Sequence, residues 1–137
     1  MKKQAATILT LMLFALTGLV SAQTRMVAKA RVPFDFMANG KTMPAGECTI
    51  EARGDGPKFL LISSGKQNLY AIPNSTQPVT HAEETMLVFH RYGDRYFLFA
   101  ISGGKNRGYE LPAGKLEVEL RAQNIVEKDV TLLANAK

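Results

Sequence analysis

The residues of this 137-residue chain best equipped for chemistry are two histidines, His81 and His90, and one cysteine, Cys48. His81, Glu83, Glu84 and His90 carry the imidazole and carboxylate groups that zinc binding or general acid–base work would use. Their spacing does not support either role. His81-x-Glu83 does not set two ligands one helical turn apart, as the helical metalloprotease motif does. Two histidines and scattered carboxylates are ordinary in a chain this long, so no metal ligand and no catalytic residue is assigned. Cys48 alternates with Ile50 and Ala52 on an apolar face, where a cysteine acts as a small hydrophobe. A reactive thiol would need exposure and a nearby positive charge. Ser63, Ser64 and Ser102 sit in no Gly-x-Ser-x-Gly elbow. Gly103-Gly104-Lys105 lacks phosphate-loop spacing. No cofactor signature is present, and the sequence reads as a non-enzyme.

A denser group surrounds Gly93-Asp94: His90, Arg91, Tyr92, Arg95 and Tyr96. Arg and Tyr each join a flat face to hydrogen-bond donors, which suits glycans, phosphates or protein partners. These five are the candidate binding residues. The plainer alternative is cross-strand Tyr–Arg packing, which stabilises any hairpin. Gly at the first central position of a two-residue turn fits type II′. That turn sets Tyr92 opposite Arg95, Arg91 opposite Tyr96, His90 opposite Phe97 and Phe89 opposite Leu98. It also sets Val88 opposite Phe99 and Leu87 opposite Ala100. Away from the tip both faces of the hairpin are apolar, so both must be covered and a second layer is required.

The elements that would hold this hairpin read as short strands punctuated by Gly and Pro, the signature of a sandwich or barrel. A first run covers about 27–37 and is an edge strand or bends at Pro33. Asn39-Gly40 is a turn signal, and Pro44-Ala45-Gly46 suits a type I turn. Residues 47–53 alternate cleanly, with Cys48, Ile50 and Ala52 on the buried side. Gly54 to Pro57 turns the chain. Phe59-Leu60-Leu61-Ile62 is continuously apolar, as expected of a strand covered on both faces. Residues 69–72 return, and 73–80 form a polar loop. Composition over 113–124 favours a helix entered at Pro112. Leu116, Val118 and Leu120 nevertheless alternate as a strand would. Val130 to Leu133 is a last strand. Met43 to Arg53 also echoes Leu111 to Arg121. An old duplication would make the second copy a strand, and chance similarity is the simpler account.

The N-terminus has the order of a secretory leader: Lys2 and Lys3, an apolar run to Val20, then Ser21-Ala22. Residues 1–22 are expected to be cleaved, with export to the periplasm or medium. Removing 22 of 137 residues leaves 115, one domain's worth of chain over 23–137. No further stretch could span a bilayer as a helix. With one cysteine no intrachain disulfide forms, so packing alone holds the domain. Losing Lys2 and Lys3 lowers the formal net charge from +5 to +3. That is not the basic stripe of a nucleic-acid binder.

Four stretches carry a resemblance: Val32-Pro-Phe-Asp-Phe36, Asn39 to Glu47, Leu87 to Leu98, and Glu110-Leu-Pro112. They resemble a family of small exported, uncharacterised β-rich proteins common in acidobacterial-type soil bacteria. The resemblance covers most of the chain after the leader. It implies a signal-bearing bacterial protein with a helix-like segment after the Leu-Pro. The family carries an aromatic residue where Cys48 stands, which implies a thiol without function. It implies no activity, ligand or catalytic residue.

The expected fold is mainly β: a small β-sandwich or partly closed barrel of about seven strands, with one helix or extra strand near 112–124. The expected role is a non-catalytic exported module that binds a partner, glycan or envelope surface. One alternative is a small ligand carrier or hydrolase using a barrel interior. Another is a self-associating structural envelope protein.

Overall fold

The computed structural model describes residues 24–54, 59–74, 84–103, 108–125 and 127–135. The expected leader over 1–22, His81, Glu83 and most of the 54–57 turn and the 73–80 loop lie outside them. The described chain is mainly β, in two sheets. One sheet has the order β1 (Thr24–Val32), β4 (Gly46–Arg53), β5 (Phe59–Ser64), β6 (Gln67–Ala71). The other runs β10 (Glu127–Leu133), β7 (Thr85–Tyr92), β8 (Arg95–Gly103), β2 (Phe36–Ala38), β3 (Lys41–Met43), with β9 (Gly108–Glu110) also on β8. The helix α1 spans Lys115–Ala122.

Where alternation is clean, the strands fall as the period demands. β4 buries Cys48, Ile50 and Ala52 and leaves the intervening residues partly wet. The expected single run over 27–37 is instead two strands. Pro33 has no N–H to give a ladder, and at this point the chain leaves one sheet for the other. Asn39 (φ 47°) and Gly40 (φ 77°) then turn β2 into β3. Two positive φ values in succession are what a type I′ hairpin needs.

The inner faces of the sheets share one apolar cluster. Leu87, Phe89, Leu98 and Ile101 contribute from β7 and β8, and Val32, Cys48, Ile50, Leu60 and Ile62 from the other sheet. Phe34 and Phe36 meet Phe89 edge-on, with ring centroids 5.1 and 5.4 Å away. Such pairs contribute about 0.5–1.5 kcal/mol beyond area burial.

Three further expectations are corrected. The described residues hold ten strands rather than about seven, because β2, β3 and β9 have three residues each and show no period. β5 is covered on one face only: Leu60 and Ile62 are fully buried, while Phe59 is 42% exposed. Among the described residues nothing covers its outer face, so the apolar run there is partly wetted. The hairpin register holds from the tip to Phe89–Leu98 and then slips, with Val88 opposite Ala100 and Leu87 opposite Ile101. Phe99 is the extra residue of a β-bulge, which twists the strand and re-aims its side chains.

Both flanks of the two-sheet sandwich are sewn. On one flank, β1 meets the chain just beyond β10: Lys29 N–H donates to Asn135 O (2.7 Å) and Asn135 N–H returns to Lys29 O (2.8 Å). On the other, side chains of the β2–β3 turn reach the open edge of β6. Asn39 Nδ2 donates to Tyr70 O (3.2 Å) and Lys41 Nζ to Asn68 O (3.0 Å). Covered edges of this kind resist pairing with another chain.

Candidate functional site at the hairpin and its helix

The outer face of β7, β8 and β10 lies against α1, where half-buried Leu116 and Leu120 flank a buried polar cluster. Lys, Leu, Glu, Arg and Ala are strong helix formers, and that preference prevails over strand alternation here. The helix begins from Gly114, which is extended (φ −72°, ψ 167°) and offers no side-chain cap. Glu117 in the first turn and Arg121 in the last each oppose the dipole end they sit on. They lie one turn apart with Arg121 Nη2 3.1 Å from Glu117 Oε1. Glu117 is the only buried residue of α1, whereas Val118 is 54% exposed. A buried carboxylate, flanked by half-buried Leu116 and Leu120, therefore anchors this helix.

Glu117 meets His90. Glu117 Oε1 is 2.7 Å from His90 Nδ1, with both side chains almost wholly buried. At that distance the ring N–H donates to the carboxylate. Arg121 Nη2, 3.3 Å from the same ring nitrogen, is then a neighbour and not a partner, since both are donors. Phe99, the bulged residue, stacks on the imidazole at 4.1 Å and 20°. Across the ring, His90 Nε2 faces two acids of β10: Glu127 Oε1 at 3.2 Å and Asp129 Oδ1 at 3.8 Å.

Tyr92 ties the same strands. Its hydroxyl has one proton, which goes to Glu127 Oε2 at 2.7 Å, and it accepts from Arg121 Nε at 2.8 Å. The contact to Glu117 Oε1 at 3.2 Å is longer and receives no proton of its own. Burial pushes the Tyr92 hydroxyl up to about 12, with Glu127 adding to the rise and Arg121 opposing it. The phenol is thus neutral at physiological pH and works as a hydrogen-bond relay. Arg121 in turn is held protonated chiefly by its bond to that oxygen.

The five candidate binding residues do not share one surface. His90 and Tyr92 are buried beneath α1, 5% and 2% exposed, and no outside ligand reaches them without moving the helix. Arg91, Arg95 and Tyr96 stay at the open end. Tyr96 stacks on Phe34 (3.7 Å, 12°), and the Arg91 guanidinium lies 5.4 Å from the Tyr96 ring centre. Arg91 Nε also donates to Gly93 O at 2.7 Å, which fixes the arm across the turn. Two grooves flank this tip. One, about 220 Å³, is lined by Asp35, Phe36, Met37, Thr42, Asp94, Arg95 and Tyr96. The other, about 330 Å³, is lined by Arg91, Gly93, Ile125 and Lys128.

Glu117, Arg121, Glu127 and Asp129 were not signalled by any linear motif. The only local sign was Glu117 and Arg121 at i, i+4 on a helix-forming stretch. Cys48 is buried and unpaired, and burial raises its thiol to about 12, as suits a packing residue. Compared with family models, curated proteins and solved structures, the chain matches none.

Proposed function

We propose that this chain is an exported, non-catalytic binding module that holds a glycan at the open end of the β7–β8 hairpin. The observation that carries the reading is the groove of about 220 Å³ with Asp35, Thr42, Asp94, Arg95 and Tyr96 on its walls. Carboxylates accept from sugar hydroxyls, a guanidinium donates to them in pairs, and the edge of an aromatic ring packs beside the sugar's apolar C–H groups. The parts are pre-set. Phe34 fixes the Tyr96 ring, and Asp35 Oδ1 accepts from Ala45 N–H at 2.7 Å. Preset side chains lose less entropy on binding. The second groove brings Arg91 and Lys128 to the other side of the turn, which adds attraction for anionic polysaccharide.

Export rests on the leader-like order of residues 1–22, and a glycan is a natural ligand for a protein at a cell envelope. The test uses Arg95→Ala with Tyr96→Ala, and separately Arg91→Ala with Lys128→Ala. Retention on cell-envelope polysaccharide is measured by pull-down and calorimetry. The first pair is expected to lose retention about tenfold or more. Retention unchanged in both pairs, with the fold intact by circular dichroism, overturns the reading.

A further inference from the structure

We propose that His90, Glu127 and Asp129 form a binding site for a zinc-class divalent cation on the outer face of the sheet, beside α1. This site is separate from the glycan reading and uses none of its groove residues. Three independent features point to it.

The first is geometry. One nitrogen and two carboxylate oxygens, from His90, Glu127 and Asp129, lie within 4.8 Å of one another. His90 Nε2 stands 3.2 Å from Glu127 Oε1 and 3.8 Å from Asp129 Oδ1. Metal–ligand bonds of about 2.0–2.2 Å in a tetrahedron set ligand atoms roughly 3.3–3.6 Å apart. The observed separations bracket that range. Glu127 is less than half exposed and Asp129 is open to solvent, so an ion has a way in and a fourth position stays free for water.

The second is the state of the histidine. His90 is nine-tenths buried, and its Nδ1–H is held by the buried Glu117 carboxylate at 2.7 Å. In that tautomer Nε2 carries a lone pair, and the atoms it faces are acceptors. A lone pair aimed at two carboxylate oxygens is repelled unless something positive lies between them. A carboxylate behind one ring nitrogen is also the arrangement that orients a zinc-bound histidine. Glu127 is supported the same way: its Oε2 takes the Tyr92 proton at 2.7 Å, which turns Oε1 toward His90.

The third is charge. The cluster contains three carboxylates, Glu117, Glu127 and Asp129, against one guanidinium, Arg121. A divalent ion makes that set neutral. A proton on Nε2 leaves it one charge short.

The experiment is a Zn²⁺ titration of the full chain after chelation, followed by calorimetry and by the NMR signals of the His90 ring. One equivalent is expected to bind, with the His90 signals moving and thermal stability rising. Asp129→Asn alters only an exposed ligand, so its fold is safe; it is expected to weaken Zn²⁺ binding at least tenfold. Glu117→Gln keeps a carbonyl acceptor for Nδ1–H but removes the charge, and about a tenfold loss is expected there. Glu47→Gln, on β4 and outside the cluster, is expected to bind as the parent does. No uptake of Zn²⁺, or uptake that Asp129→Asn leaves unchanged, overturns the proposal. So does a His90 ring that carries both protons at neutral pH while Zn²⁺ is present.

Discussion

The β7–β8 hairpin has two faces of nearly equal burial and opposite chemistry. The inner one sets Leu87, Phe89, Leu98 and Ile101 against the other sheet. The outer one sets His90, Tyr92 and Phe97 under a helix whose only buried residue is a carboxylate. An apolar face is held by area and shape, so any side chain of the right volume serves. A polar face is held by a list of partners, so each member makes the others necessary. The first kind of surface supplies stability; the second fixes where α1 sits.

The sharpest way to break this contrast is on the inner face. Phe89→Ala should cost about 3–5 kcal/mol in denaturant unfolding, the range for a fully buried aromatic. Phe89→Leu should recover most of it, because volume decides. On the outer face, Glu117→Leu leaves the buried His90 and the part-exposed Arg121 without their carboxylate and should cost about 3 kcal/mol. Adding His90→Phe to Glu117→Leu should restore stability to within about 1 kcal/mol of the parent, since replacing the whole pair by apolar groups is often neutral or favourable. A double variant no better than the single one would put the outer face in the same class as the inner. Tyr92→Phe removes one relay oxygen and should cost about 1–2 kcal/mol.

The smallest effect is in pH. Tyr92 is raised from 10.0 and Cys48 from 9.0, both to about 12. For a raised group, folding favours the protonated form. Its contribution is therefore complete below the unfolded value and is lost as pH climbs toward the folded one. Stability should fall from about pH 9 through about pH 12, and Tyr92→Phe should flatten the part that begins near pH 10. Equal alkaline profiles for parent and variant would remove Tyr92 from the account.

Much of the inner face was legible because period two survives burial. Cys48, Ile50 and Ala52 announce their face, and Gly93 (φ 61°) fixes a hairpin register correct from the tip to Phe89–Leu98. The bulge at Phe99 was not legible, since an extra residue leaves composition unchanged and shifts only geometry. The outer face hid for another reason. His90 and Glu117 lie 27 residues apart and Tyr92 and Glu127 35 apart, so their meeting is a property of the fold alone. Composition over 113–124 favours the helix that forms, but alternation leaves a strand open there, and the same Pro-Ala-Gly opening precedes both β4 and α1. At Gly46 the backbone turns at φ 137°, and at Gly114 it stays at φ −72°. The second copy is a helix, so it gives a shared duplication no support.

The backbone stitch between Lys29 and Asn135 has a consequence for how the molecule comes into being. Lys29 and Asn135 stand far apart in the sequence, so a ribosome delivers the first long before the second. Contacts of such long range form slowly, and this one cannot close before Asn135 has emerged. Until then this flank of the two sheets stays unstitched on the growing chain.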